Sequence, residues 1–255
     1  MLKFSKHNTL SRGGGASKSN SPLIFYTAFT MAEVLITLGI IGIVAAMTLP
    51  ALIQKQQTKS ILVSLNKSYA ELQNIVNLIS NEHGEDIGNV IKLYDDEQTK
   101  NLFMKYYDNA KDCSNNSCYK EDIIYYTYAG DKINITTGNT PNSNYYFSKN
   151  KFLTKEGRLI IFGGTNKHGR MISVDVNGPF KKPNAWGRDV FTFRVMEKQI
   201  MPCGGKIGCS NPYNYNCNES EKGLYAGLGC TYYALTKPGF LDTKYYYKKY
   251  TAGEL

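Results

Sequence analysis

The chain has 255 residues, of which 42% are hydrophobic and 20% charged, a globular balance that excludes disorder along the whole length. Its mean hydropathy of −0.36 excludes a polytopic membrane protein. The formal charge of +9 points, taken alone, to an acidic partner such as nucleic acid or an anionic membrane. Residues 1–28 hold Lys3, Lys6, Arg12 and Lys18, no acid, and the run Gly13, Gly14, Gly15. This reads as a basic, flexible leader on the cytoplasmic side of a membrane. Residues 29–53 read FTMAEVLITLGIIGIVAAMTLPALI, with Glu33 as their one charge. At about 1.5 Å per residue they make roughly 37 Å of helix, enough for a hydrocarbon core of about 30 Å. They are too long for a secretory signal core of about 7–15 residues. A carboxylate inside such a span costs about 3 kcal/mol, so Glu33 needs a partner or a role. The plain alternative is that it marks the interfacial start of the span. Gly39 and Gly42 give the helix a thin face for close packing.

The helical pattern continues past the span. Ile61, Leu65, Tyr69, Leu72, Val76 and Ile79 recur at steps of three and four, opposite Lys59, Asn66, Lys67, Gln73 and Asn77. One helix is predicted over about 29–80, apolar all round in its first half (29–53) and amphipathic in its second (54–82), with Asn81–Gly84 as the stop. A globular part follows over 83–255. A short helix is predicted around 92–106, with Asp95 and Asp96 facing water. Strands are predicted over 123–128, 132–137, 158–162, 171–176 and 190–196 from β-branched and aromatic runs. Several strands after one long helix give an α+β class with an antiparallel sheet packed on the helix. Residues 201–243, rich in Gly, Cys, Asn and Tyr, read as irregular.

The stretch Ala28-Phe29-Thr30-Met31-Ala32-Glu33-Val34-Leu35-Ile36-Thr37-Leu38 resembles the processing motif of type IV pilins and type II secretion pseudopilins. That family has a short basic leader, a small residue before the cut, Phe after it, and Glu as the fifth mature residue. The family usually carries Gly before the cut, where this chain has Ala28. The resemblance covers about residues 22–55 and implies cleavage between Ala28 and Phe29 by a prepilin peptidase, then N-methylation of Phe29. The amine stays cationic and pairs with Glu33 of a neighbouring subunit during assembly. Pro50 falls where many members carry a helix-bending proline. The resemblance further implies a pilin-like fold, pilin or pseudopilin subunits and cytoplasmic-membrane lipids as partners, and a single-pass location with the globular part outside the cytoplasm. The long chain left after cleavage leans towards a minor subunit of a pilus or secretion pseudopilus. The rivals are a pilin whose globular part binds DNA or a surface ligand, and an anchored domain that never assembles.

Six cysteines, Cys113, Cys118, Cys203, Cys209, Cys217 and Cys230, all follow the span. An even count in an exported region predicts disulfides, with Cys113 and Cys118 close enough to form a small loop and the other pairings open. The scattered His7, His83 and His168 and the lack of C-x-x-C argue against zinc. Asp175, Asn177 and Asp189 are candidate oxygen ligands for calcium, in a segment similar to a loop of pseudopilin-like domains. The preferred alternative is that these side chains cap turns. No nucleotide-binding, zinc-protease or serine-hydrolase motif occurs, so no enzyme and no obligatory cofactor are expected. The tail from Lys244 to Tyr250, basic and aromatic through Lys248, Lys249 and their tyrosines, is a candidate grip for single-stranded nucleic acid. A terminal strand is the preferred reading there.

Overall fold

A computed structural model describes residues 29–114, 118, 123–134, 150–163, 170–205, 217, 226–237 and 239–242. The leader (including Ala28), Cys209, residues 135–137 of one predicted strand, His168 and the 244–250 tail lie outside these. The chain divides into two compact units, Met1–Thr48 and Leu49–Leu255.

In the first unit the described structure is the start of helix α1 (Met31–His83). Every side chain from Phe29 to Thr48 is exposed except Ala45, which is half-buried. The helix passes through Pro50, whose missing N–H leaves one carbonyl of the preceding turn without its helical donor.

In the second unit α1 buries one stripe: Thr58, Ile61, Leu65, Ser68, Leu72, Ile75, Val76 and Ile79. These follow the three-and-four spacing read from the sequence, and Tyr69 is half-buried beside them. Two short helices follow, α2 (Ile87–Lys92) and α3 (Asp96–Met104). The one helix expected over 92–106 corresponds to α3, and α2 was not expected. Asp95 starts α3 with a capping box: its carboxylate accepts from Gln98 N at 2.7 Å, and the Gln98 side chain accepts from Asp95 N at 2.9 Å. Asp96 does not simply face water as expected. It ion-pairs with Arg170, which also donates to the Tyr94 carbonyl.

The main sheet has six antiparallel strands in the order β1-β4-β5-β6-β7-β8. They are β1 (Lys111–Asp112), β4 (Asn150–Leu153), β5 (Leu159–Gly163), β6 (Met171–Asp175), β7 (Val190–Val195) and β8 (Ile200–Pro202). A separate hairpin joins β2 (Ile124–Tyr126) to β3 (Lys132–Asn134). Strands β5 and β6 are buried at every position. The reason is that both sheet faces are covered. Ile160, Phe162, Ile172, Val174, Phe191 and Phe193 pack with the α1 stripe, α2 and α3. Leu159, Ile161, Met171 and Val190 pack on the other face with Tyr125, Ile133, Trp186 and Leu228. Each fully buried Leu, Ile, Val or Phe contributes about 1.5–3 kcal/mol, so these two clusters supply most of the drive for this unit.

Polar contacts fix the helix on the sheet. Arg158, only 4% exposed, pairs with Glu71 at 2.6 Å and donates to Ser68 Oγ at 2.8 Å. Tyr69 stacks on Phe193 at 5.5 Å, and Gln73 Oε1 accepts from Ile200 N at 3.2 Å. The region read as irregular after residue 201 contains β8 and helix α4 (Cys230–Thr236).

Candidate functional site

The apolar segment begins at a helix cap. Thr30 N–H and Thr30 Oγ1 both donate to Glu33 Oε2 at 2.8 Å. Glu33 N–H donates back to Thr30 Oγ1 at 3.2 Å. This reciprocal pattern is a capping box, which satisfies two donors that a helix start otherwise leaves open. Glu33 therefore has a partner inside its own chain. The sequence carries the signal for it as Thr-x-x-Glu ahead of an apolar run.

Beyond the cap, the side chains of Leu35, Ile36, Leu38, Ile40, Ile41 and Ile43 are each 57–64% exposed. An 18-residue window of this helix has a hydropathy of 2.3 and no buried share, so it is long and apolar enough to cross a membrane. A Cβ placed on Gly39 or Gly42 meets nothing within 4 Å. Pro50 lies in the same helix, and Phe29 stands just before it, 85% exposed.

In the second unit the loop between β6 and β7 gathers all three candidate calcium ligands. Asp175 and Asp189 are both fully buried. Asp175 Oδ2 accepts from Tyr125 OH at 2.6 Å, and Oδ1 accepts from Gly178 N at 2.8 Å. Asp189 Oδ1 accepts from Ala185 N at 2.7 Å, and Oδ2 accepts from Asn184 N at 2.9 Å. The Asn177 side chain also bonds to Asp189. These donors are those of turn capping, the alternative preferred from sequence. Burial pushes the Asp175 carboxyl well up, and the neighbouring Asp189 charge adds to it. Burial likewise raises Asp189. Burial of both carboxyls thus favours their protonated forms. Asn177 Oδ1 and Asn184 Oδ1 are buried without a hydrogen-bond partner. Among the described residues no group of three or more His, Cys, Asp or Glu is gathered as metal ligands.

The loop is locked from both sides. Asn184 donates from Nδ2 to the Pro179 carbonyl at 2.9 Å. Trp186 donates from Nε1 to Thr192 Oγ1 at 3.2 Å and lies 5.7 Å from the Tyr125 ring. Gly187 has φ +75°, and a Cβ there would come within 2.5 Å of Cys230 Sγ. Only glycine fits that crossing.

Two disulfides are described, Cys113–Cys118 and Cys217–Cys230. Cys203 is disulfide-bonded as well. The first encloses the loop expected from sequence. The second ties the start of α4 to residue 217. Beside the first, Lys100 is fully buried and donates to Asp112 at 2.5 Å and Ser114 at 2.8 Å. No family model, no curated protein and no solved structure matches this chain.

Proposed function

We propose that this chain is a structural subunit of the type IV pilin or type II secretion pseudopilin class, a minor subunit by its length. In this reading a prepilin peptidase cuts between Ala28 and Phe29 and methylates the new amine. The apolar half of α1 first rests in the cytoplasmic membrane and then packs against the helices of neighbouring subunits in a filament. The observation that carries the reading is the apolar segment 29–53, which has no buried residue. Apolar surface of that extent needs lipid or other chains as cover. Gly39 and Gly42 support the same reading. Each lowers helix propensity by about 1 kcal/mol, and among the described residues nothing lies close enough to require glycine. A thin face is useful where a second helix must approach.

The Thr30–Glu33 capping box favours a second reading, a single-pass anchored domain that never assembles. There Glu33 serves only its own helix start. Two variants separate the readings. If Glu33 acts in assembly, Glu33→Ala abolishes incorporation into filaments while Thr30→Ala is tolerated. If it acts only as a cap, both variants reach the membrane and weaken the helix start equally, and no filament contains the protein.

A further inference from the structure

Three separate stretches of the second unit meet around a cleft of about 370 Å³: α1 between Glu71 and Leu78, the turn after α3, and the β4–β5 turn. Small-molecule sites span about 300–1,000 Å³, so the cleft is large enough for a small ligand. Its walls are anchored. Arg158 of the β4–β5 turn bonds to Glu71 and Ser68 of α1. The Tyr107 ring, after α3, lies 5.2 Å from the ring of Phe152 in β4. A preformed cleft spares a ligand the cost of ordering it.

The lining is polar where most such sites are apolar. Tyr107 is the telling residue. Its hydroxyl is buried and has no hydrogen-bond partner among the described residues. A buried hydroxyl left unpaired is costly, and a ligand that bonds it removes that cost. Burial, and then the Glu71 charge, raise the hydroxyl's pKa well above the usual tyrosine value. It therefore stays protonated and can both donate and accept.

Charge narrows the ligand further. Glu71, Asp108 and Glu156 line the cleft against Lys155 and Arg158, and Lys67 lies 3.7 Å from Glu71. Acids and bases balance, so neither an anion nor a polyamine gains from net charge. The Asn74 amide adds a group that both donates and accepts. Ile75, Leu78 and Tyr106 add an apolar strip, and Leu78 is 44% exposed. A ligand matching this lining is neutral, carries several hydroxyls and has one apolar face. A peptide matches less well, because it needs a free strand edge or an apolar groove. Strands β4 and β5 are each paired on both sides.

We infer that the cleft binds a neutral saccharide, with the Tyr107 hydroxyl and the Asn74 amide bonding its hydroxyls and Leu78 against its C–H face. Lys155 and Glu156 then select among hydroxyl patterns. This site goes beyond the proposed subunit role and does not depend on whether the chain assembles.

The test uses the full chain in a detergent without a sugar headgroup. Saturation-transfer NMR is recorded against glucose, galactose, mannose, fucose, N-acetylglucosamine, cellobiose and lactose. Putrescine, inorganic phosphate and a neutral tripeptide serve as comparisons. The expected result is transfer to one or more of the sugars and to none of the comparisons. Tyr107→Phe keeps the ring and removes only the hydroxyl. It should weaken binding of that sugar by about fivefold, while thermal unfolding stays unchanged or moves up because an unpaired buried group is gone. Asn74→Ala, at an exposed position of α1, should weaken binding by a similar factor without disturbing the fold. Trp186 emission checks the fold of each variant. No transfer to any of the sugars overturns the inference. Sugar binding that both variants leave intact lies elsewhere on the chain and also overturns it. Binding of putrescine, phosphate or the tripeptide that Tyr107→Phe weakens overturns the assignment to a neutral saccharide.

Discussion

Replacing Asp175 with asparagine should make the protein more stable near pH 7 and no more stable near pH 4. Burial raises the pKa of Asp175 and Asp189, and at Asp175 the neighbouring carboxylate raises it further. An aspartate in the unfolded chain ionises near pH 3.9. A group whose folded pKa lies above its unfolded value contributes stability that is complete below the unfolded value. That stability is lost as pH rises through the folded pKa. Asp189 is pushed up to about 7, so the loss runs from about pH 4 to 7. One retained proton is worth about 1.4 kcal/mol per pH unit, on the order of 4 kcal/mol across that window. Asparagine keeps a carbonyl to accept from Gly178 N–H or Tyr125 OH and removes the charge beside Asp189. The variant should therefore lose less stability as pH rises and be more stable than the parent at pH 7. Urea unfolding of the full chain in detergent from pH 4 to 7 measures both. Trp186 is the sole tryptophan, is 1% exposed and contacts Tyr125, so its emission reports this site directly. A stability gap that stays constant from pH 4 to 7 refutes the raised-carboxyl account.

Three further changes probe the rest of the structure. Arg158→Ala removes the Glu71 and Ser68 bonds that hold α1 on the sheet and should cost about 2–3 kcal/mol. Glu71 is 29% exposed and can rehydrate, so Glu71→Gln should cost less than half of that in the same urea titration. Gly187→Ala forces a Cβ against Cys230 and Tyr128 at positive φ and should lower the yield of folded protein or cost about 3 kcal/mol or more. Loss of the Cys217–Cys230 bridge should cost about 3 kcal/mol and loss of Cys113–Cys118 about 2, in the order of their loop lengths, as read by unfolding of the paired serine variants.

The long helix was readable because both of its signals are strong. The apolar run and the stripe from Ile61 to Ile79 each repeat over many residues, and helix α1 (Met31–His83) extends the expected end by about one turn. The α+β class and most of the core strands were readable for the same reason. Alternation was hidden in β5 and β6 because both faces are covered, which turns a two-residue period into a continuous apolar run. Strands β1, β4 and β8 escaped because they are two to four residues long, and β4 carries Lys151, whose burial no local pattern reveals. Helix α4 was masked by its setting among Gly, Cys and Tyr. At the site, sequence brought Asp175, Asn177 and Asp189 into one group. It did not reveal that their oxygens face Tyr125, Gly178, Asn184 and Ala185, because three of those four donors are backbone amides. Thr30 is legible as a cap only through its spacing to Glu33, a four-residue signal beside a much stronger apolar run.

The central claim is that the apolar helix begins, in the working protein, at a cut and methylated residue 29. Intact-mass and N-terminal peptide spectrometry of the protein purified from the membranes of its own cells tests this directly. The account predicts a chain that starts at Phe29 with one added methyl group. A chain that retains residues 1–28, or starts at Phe29 without the methyl group, contradicts it.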